Sequence, residues 1–371
     1  MNSRAIARRA SYVVAAFFVV VLAVPTARAE KPSQRWLYLQ TNLQVADNVE
    51  HAETLLKRAA KVGYNGVVLA DYKLNILDRV PQHYFKHAAQ VKRLCEELDL
   101  ELIPTVAPMG YSDGLLAHDP NLAEGIPVKK AAFEVSKSGA VELAGAASLL
   151  PGGGFEEASQ DTVTGWHLQD GPGEISFIDT EIQHGGKQSL RWQRPSGDEY
   201  LNARVSRLGK CAPYRQLHAS VRIKTKDFAA AGDVRMFAIG ADGRVLSHSN
   251  LGVKRDQEWT EHHAIINTLG NTEVRFYCGT WGLAGGVMWM DDVQLVEVAF
   301  VNLVRRSGCP LKVVSAADGT VYEEGRDFEP LSDPKMGRVP WDGNFDVYHE
   351  PPTLKLTSTS RIEPGCLLYT S

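Results

Sequence analysis

The hydrophobic pattern of this 371-residue chain changes near residue 148 and changes again near residue 298. Before the first change, strand-like apolar runs alternate with stretches of helical spacing. Between the two changes, short strand-like runs follow one another and are separated by Gly, Asp, Asn and Ser. Alternating strands and helices are typical of parallel α/β domains, whereas regularly spaced short strands are typical of all-β sandwiches. The sequence therefore predicts an α/β domain interrupted by a β-sandwich.

The α/β pattern occupies residues 30–147. Strand-like runs at 36–40, 66–70 and 100–107 are separated by two stretches with apolar residues at helical spacing, the first of which ends at Gly63. This alternation predicts a parallel sheet, either doubly wound or a (β/α)8 barrel. No Gly-x-Gly-x-x-Gly follows the first strand, which favours the barrel. Three strands cannot close eight, so we expect a partial TIM-type barrel.

The stretch 108–127, beginning Pro-Met-Gly-Tyr-Ser-Asp, follows the third strand-like run. It resembles the third strand-end loop of secreted glycoside-hydrolase-like barrel proteins, and the resemblance extends over about residues 35–133. The resemblance implies a TIM-type barrel whose site lies at the carboxyl ends of the strands. It names no substrate.

Polar and aromatic side chains follow the three strands at that edge. Asp71 is the best catalytic candidate by position, although it could instead bind a hydroxyl or pair with Lys73. A glycosidase needs two carboxyl groups, and we find no convincing second one, so we expect the catalytic acids mainly in sequence that this chain lacks. His118 precedes Asp119-Pro120, a pair that is also typical of a turn. The candidates for substrate binding here are Gln40, Asn42, Tyr72, Lys73, Tyr111 and His118.

Residues 148–298 carry a series of landmarks in order, namely Gly-Phe155-Glu156, Gly165-Trp166, the run 185–192, Tyr214, Trp259 and Asp291-Asp292-Val293. This order resembles the family 4/9 (CenC-like) carbohydrate-binding modules, with Gly153 where an Asn is usual. The resemblance implies a galactose-binding-like jelly roll. It also implies a structural calcium ion held by Glu156 and Asp292, carboxylates of the kind that this cation prefers. Alternatively, Asp291 and Asp292 are a solvated strand start. We expect no cofactor for catalysis.

Aromatic side chains in this region are candidates for stacking on sugar rings. Trp281 is favoured because four nearby glycines predict a loop around it, and Trp192, Tyr200 and Tyr277 are further candidates. For each of them, packing in the core is the competing interpretation. Three other tryptophans are expected to fill the core, namely Trp166, Trp259 and Trp289.

The two ends of the chain carry their own signals. Arg4, Arg8 and Arg9 precede an apolar run that ends in Ala27-Arg28-Ala29, which predicts a signal peptide over residues 1–29, cleavage near Ala29 and a secreted or periplasmic protein. Residues 299–365 are expected to form a β-rich bridge back to the barrel. Residues 366–371 read as a translated sequencing adapter, which predicts a natural protein longer than this fragment, and a genuine strand is the alternative.

Composition excludes several functions. The formal net charge of −4 offers no basic field for nucleic acid, and no second apolar run is long enough to span a membrane after the signal is cleaved. Five scattered cysteines do not form a disulfide scaffold, and Cys211–Cys278 is the only pair worth considering. We therefore expect an exported protein that binds poly- or oligosaccharide, a truncated glycoside hydrolase whose fragment is inactive. The alternative is a non-catalytic carbohydrate-binding protein.

Overall fold

The structure is a computed structural model that describes residues 33–106, 114–145, 147–194, 200–336 and 347–371. The predicted signal peptide and Tyr111 lie outside these residues. The chain divides into two compact units, one up to Gly114 and one from Leu115 to Ser371. Strands greatly outnumber helices in the described part of the chain.

The first unit is a three-stranded parallel sheet with two helices. Strands β1, β2 and β3 lie side by side in chain order. The apolar stripe of the first helix is buried, and Gly63, at φ +84°, lets the chain leave it. The predicted strand–helix–strand–helix–strand order is thus confirmed, while closure into a barrel stays a prediction. The elements are β1 (Trp36–Gln40), α1 (Ala46–Lys61), β2 (Gly66–Ala70), short 3₁₀ helices (Tyr72–Asn75 and Leu77–Arg79), α2 (Gln82–Glu97) and β3 (Glu101–Thr105).

A short helix, α3 (Gly114–His118), and a 3₁₀ turn (Pro120–Leu122) lead into the strands of the second unit. Most of that unit is a β-sandwich of antiparallel strands. The sandwich is preceded by a small hairpin of β6 (Ala158–Ser159) and β7 (Thr162–Val163). Its strands are β8 (His167–Leu168), β9 (Ser176–Asp179), β10 (Ser189–Gln193), β11 (Leu201–Lys210), β12 (Gln216–Ala230), β13 (Arg235–Gly240), β14 (Val245–Asn250), β15 (Gln257–Asn267) and β16 (Glu273–Val298).

Strand β16 belongs to both layers of the sandwich. Its first part pairs with β11 and β13, which gives one layer the order β14-β13-β16-β11-β8. Its second part pairs with β12 and β10, which gives the other layer the order β15-β12-β16-β10-β9. Strands that switch sheets bend at the corner, and Gly279 (φ +135°) and Gly286 (φ +71°) provide the bend. The layers enclose one apolar core that includes Trp192, Phe155 and Phe276.

The segments on either side of the sandwich join in a third, five-stranded sheet of order β18-β17-β19-β4-β5. Ala131, Phe133 and Val135 alternate inward, which explains why this stretch forms a strand and not part of a helix. The sequence pattern predicts that residues up to 147 belong to the barrel, whereas in the structure residues 131–134 pair with 367–370. The strands are β4 (Ala131–Val135), β5 (Val141–Leu143), β17 (Val313–Ser315), β18 (Val321–Tyr322) and β19 (Leu367–Thr370).

The third sheet includes parts of residues 299–365 and 366–371, for which the sequence predicts a bridge and an adapter. Residues 299–365 supply β17 and β18 and the buried side chains Phe300 and Phe328. Apart from these two short strands their described part is mostly turns and loops, so it is less β-rich than predicted, and the strands complete this sheet instead of a parallel one. Residues 367–370 occupy a central strand, with Leu368 fully buried. The adapter interpretation of 366–371 stays a prediction.

Disulfide bonds and membrane-spanning helices are both absent from the described residues. The cysteines of the described residues are all free, including Cys211 and Cys278, so the pair considered from the sequence is not bonded. No helix among the described residues is both long enough and apolar enough to cross a membrane.

Candidate functional site

The outer surface of the layer that contains β11, β13 and the first part of β16 gathers aromatic and basic side chains. Side chains on this surface alternate with core residues, because Val274, Phe276 and Cys278 point inward between their neighbours. We call this surface the open face and define it by Arg204, Ser206, Arg235, Phe237, Arg275, Tyr277 and Trp281.

Strand register sets the three open-face aromatics next to one another. Phe237 lies directly opposite Tyr277 in the β13–β16 pair, and their rings stack with centroids 4.7 Å apart and planes 5° apart. The Phe237 ring centroid is also 5.1 Å from that of Trp281, which is 41% exposed. A continuous aromatic surface results, partly open to solvent at Trp281. Such surfaces receive the apolar faces of flat ligands.

Arg204 packs over the ring of Trp281. Its guanidinium carbon lies 4.4 Å from the Trp281 ring centroid, a cation–π contact. Its Nε donates to Oε1 of Gln169 at 2.5 Å, and its Nη1 donates to Oδ1 of Asn202 at 2.7 Å. Burial lowers the pKa of this guanidinium, while Tyr277 and Asp170 oppose the shift. Two amides thus orient a hydrogen-bond donor beside Trp281.

A buried hydroxyl lies at the centre of the open face. Ser206 sits opposite Tyr277 in the β11–β16 pair and is only 1% exposed. Its Oγ has no hydrogen-bond partner among the described residues. Leaving a buried hydroxyl unsatisfied costs about 1–3 kcal/mol, and a hydroxyl that is closed to solvent can be satisfied only by an internal partner or an enclosed water.

Trp192 does not belong to the open face, which corrects its assignment as a sugar contact. Its side chain is fully buried in the sandwich core, and its indole Nε1 donates to Oδ2 of Asp170 at 2.5 Å. Burial raises the pKa of Asp170, although the hydrogen bonds from Ser176 and Trp192 oppose the shift. Side chains of β10 point alternately inward and outward, and Trp192 occupies an inward position, whereas sugar contact requires an outward one. Trp166 and Trp289 are core residues, as predicted.

The two predicted metal ligands lie near one another at the ends of the sandwich strands. A Cβ at Gly185 would lie 3.2 Å from both carboxylate oxygens of Asp292, and one at Gly186 would lie 1.9 Å from Oε1 of Glu156. His184 Nδ1 contacts Oδ2 of Asp292 at 2.6 Å. The glycines thus make room for two carboxylates, whose hard oxygen atoms suit calcium. No group of three His, Cys, Asp or Glu residues suited to a metal is found in the described ranges.

Asp291 is a third carboxylate close to Asp292 and to the loop 184–185. Its Oδ2 accepts hydrogen bonds from the backbone of His184 and Gly185, at 2.9 and 3.1 Å. Full burial raises its pKa to about 6, although backbone N–H groups oppose the shift. Asp291 therefore ties the loop 184–185 to β16, and it is not solvated.

In the first unit, Asp71 has a structural environment. It is 3% exposed, its Oδ2 accepts from the backbone of Leu43 at 2.8 Å, and its Oδ1 accepts from the backbone of Lys73 at 3.1 Å. The ammonium of Lys73 lies 3.5 Å from Oδ1. Burial, followed by Asp71, raises the pKa of the Tyr84 hydroxyl. These contacts fix two loops at the strand ends, as the pairing alternative anticipated.

The remaining candidates are scattered. Gln40 is exposed, Tyr72 is 52% exposed with its ring 3.9 Å from the Lys73 ammonium, and Asn42 accepts from the backbone of Gln44. These residues share the strand-end edge of the first unit, as predicted. His118 is exposed and lies in the second unit. Tyr111 lies outside the described residues.

The second unit also has a cavity away from the open face. A cavity of about 550 Å³ is bounded by residues 124–129, 299–305 and 308–312. Much of its wall is apolar or backbone. We prefer the open face as the candidate site because its aromatic and polar side chains converge.

Comparisons with known proteins give structural neighbours only. No family model and no curated protein matches this chain. Solved structures similar to it include TmCBM61 in complex with β-1,4-galactotriose (15% identity, 41% of this chain, 99% of that chain, TM-score 0.32). The CBM22-1 xylan-binding domain from Paenibacillus barcinonensis is also similar (19%, 42% of this chain, 98% of that chain, 0.30). A third is the arabinose-bound MgGH51 α-L-arabinofuranosidase (16%, 48% of this chain, 31% of that chain, 0.33). Carbohydrate-binding modules are therefore among its structural neighbours.

Proposed function

We propose that this chain binds polysaccharide through the open face of its β-sandwich. The observation that carries the proposal is the stacked aromatic surface of Phe237, Tyr277 and Trp281 beside the oriented guanidinium of Arg204. The C–H groups on one face of a pyranose pack on aromatic rings, and the hydroxyls at its edge need donors and acceptors. Both kinds of group lie together here.

The geometry suggests how a sugar would be held. One sugar ring packs on the exposed part of the Trp281 indole, while the Arg204 guanidinium donates a hydrogen bond to a hydroxyl at the edge of that sugar. Tyr277 and Phe237 stack face to face beside this indole, so the stacked pair supports Trp281 and borders the sugar with its ring edges.

Removing the exposed indole tests this proposal. We expect Trp281→Ala to weaken binding to the preferred glycan about 30-fold, because truncating a central aromatic anchor costs about 2 kcal/mol or more. The measurement is isothermal titration calorimetry with soluble oligosaccharides, after a glycan-array screen of the full chain. Trp259→Ala, on β15 of the other layer, is the matched control and should bind normally. Unchanged binding by Trp281→Ala would mean that the open face is not the site.

Glycosidic-bond hydrolysis is the narrower part of the proposal. The parallel β1–β2–β3 unit, with polar residues after each strand, supports it. Asp71 supports it less, because its two oxygens hold the backbone of Leu43 and Lys73. The chemistry needs two carboxyl groups about 5–10 Å apart. We therefore propose binding as the activity of this chain and hydrolysis as that of a longer protein.

We also propose a structural calcium ion near Glu156 and Asp292, with backbone carbonyls completing its oxygen ligands. The glycines that make room for the two carboxylates support it. Calcium at a hundred times its Kd should stabilise the folded state by about 2.7 kcal/mol, read as a rise in melting temperature over that in EDTA. Glu156→Gln should abolish the rise, and a chain indifferent to calcium would refute the site.

We also propose that the protein is exported. The apolar run after Arg9 and the Ala27-Arg28-Ala29 triplet support export, which would bring the open face to extracellular or periplasmic glycans. Cleavage would leave a mature chain that begins near Glu30. N-terminal sequencing of the exported protein tests this position.

A further inference from the structure

We infer that the polysaccharide bound by the open face is anionic, with carboxylate or sulfate groups that pair with its arginines. The inference rests on the proposed glycan binding and narrows the class of ligand. Its basis is a row of guanidinium groups set among the stacked aromatics. Arg204, Arg235 and Arg275 all lie on this one surface.

The strand register fixes where the three arginines start. Arg204 and Arg235 lie opposite Gly279, one on each side of β16. Neighbouring strands are about 4.8 Å apart, so the two Cα atoms are about 10 Å apart with no side chain between them. Arg275 lies two residues before Tyr277 on β16 and is exposed. The arginines therefore border the aromatic surface on several sides.

Two of the three arginines have no acidic partner among the described residues. Neither Arg235 nor Arg275 forms an ion pair with an Asp or Glu of the described residues, and Arg204 contacts two amides. Glu273 is the acid that shares their side of β16, and it lies opposite Lys210. Asp170 lies near Arg204 and acts to raise the pKa of its guanidinium, so Arg204 is partly balanced, and the case for unbalanced charge rests on Arg235 and Arg275. The chain as a whole has a formal net charge of −4, so this surface is basic although the whole chain is slightly acidic.

A guanidinium suits a carboxylate or sulfate group better than a neutral hydroxyl. Its planar donors can form two parallel hydrogen bonds to such a group, and charge-assisted bonds are about twice as strong as neutral ones. An acid group at the edge of a pyranose would reach Arg204 or Arg235 while the ring stacks on Trp281. Arg275 could then pair with the acid group of another sugar unit. The arrangement favours a polymer with repeated charges over a single sugar.

The decisive experiment changes the charge of the ligand and keeps its sugar. Binding of the full chain is measured by affinity electrophoresis and calorimetry on sodium polygalacturonate, on its methyl ester, on a neutral galactan and on a sulfated galactan. Arg235→Ala and Arg275→Ala are compared with Arg222→Ala. Arg222 is the matched control because it lies on β12 of the other layer, where it pairs with Glu261.

We expect tight binding to at least one anionic polymer and at least about tenfold weaker binding to the neutral galactan. If the anion is a carboxylate, the methyl ester should bind about tenfold more weakly than the free acid, and preference for the sulfated galactan would assign a sulfate instead. Each open-face arginine variant should lose about tenfold in affinity, and Arg222→Ala should lose none.

Equal binding to neutral and anionic polymers, or unchanged binding by both arginine variants, would overturn the inference and leave glycan binding intact. Failure of the proposed function looks different. In that case no polymer binds, or Trp281→Ala leaves the binding of every polymer unchanged.

Discussion

The two outer faces of the β-sandwich differ in what their charged side chains contact. We call the outer surface of β12 and β15 the paired face and define it by His218, Arg222, Lys224, Glu258, Glu261 and His263. There, Arg222 Nη2 lies 2.7 Å from Oε2 of Glu261, and Lys224 pairs with Glu258. On the open face, Arg235 and Arg275 have no such acid among the described residues.

The aromatic residues differ in the same way. On the paired face, Tyr348 stacks on His218 with ring centroids 3.7 Å apart, and His218 Nε2 lies 2.9 Å from Nδ1 of His263. The chain itself thus covers that surface. On the open face, the stack of Phe237 and Tyr277 ends in the partly exposed Trp281. A face whose polar groups pair internally serves stability, whereas a face with unpaired groups is available to a ligand.

The sharpest way to separate stability from binding is to compare two tryptophans. We expect Trp192→Ala to lower the free energy of unfolding by about 3–5 kcal/mol, because it opens a core cavity and removes the hydrogen bond to Asp170. Trp281→Ala should cost less than about 1 kcal/mol, since its ring is exposed. Urea denaturation of both variants measures the difference. Similar losses from the two would mean that the open-face aromatics are structural.

A smaller effect should appear with pH on the paired face. Burial, followed by His263, lowers the pKa of His218 to about 4. The folded pKa lies below the unfolded value of about 6.5, so the native state binds fewer protons. The stability that neutral His218 allows is therefore complete above pH 6.5 and is lost as pH falls towards 4. At pH 5 the loss is about 2 kcal/mol.

Replacing the histidine should remove that loss. Relative to the unaltered chain, we expect His218→Phe to gain about 2 kcal/mol between pH 7.5 and pH 5 in urea denaturation. Asp291 titrates in the same window with the opposite sign, because its pKa is raised to about 6, and comparison at equal pH cancels its contribution. The control is His248→Phe, which replaces an exposed histidine of β14 outside the paired face. Parallel profiles for all three proteins would contradict the assignment.

Local patterns were enough to predict much of the fold. Helical spacing from Val49 to Val62 and the apolar run 66–70 gave the elements of the first unit, and turn-separated runs gave the sandwich. The joining of residues 131–134 with 367–370 was not predicted, because no local pattern states which distant strand a strand will pair with. Hydrogen-bond partners in a sheet are fixed by tertiary structure.

The candidate site was predicted less completely, for the same reason. Tyr277 and Trp281 were named from the sequence, and Trp281 lies within β16, not in a loop. Phe237 was missed, although its buried neighbours Met236 and Ala238 place it on the outer side of β13. Its position beside Tyr277 depends on the register of β13 against β16, which the sequence does not encode locally. The prediction that Trp192 contacts a sugar was wrong, because an aromatic ring is equally suited to core packing and to an exposed surface.

The passage of β16 from one layer to the other has a consequence for cooperativity. One continuous backbone, from Glu273 to Val298, supplies hydrogen bonds to both sheets, so neither sheet can open fully without breaking ladders of the other. Amide hydrogens along this strand should therefore exchange through one common opening with a single free energy. A ligand on one side of the sandwich would then slow exchange on the opposite side without any change of shape.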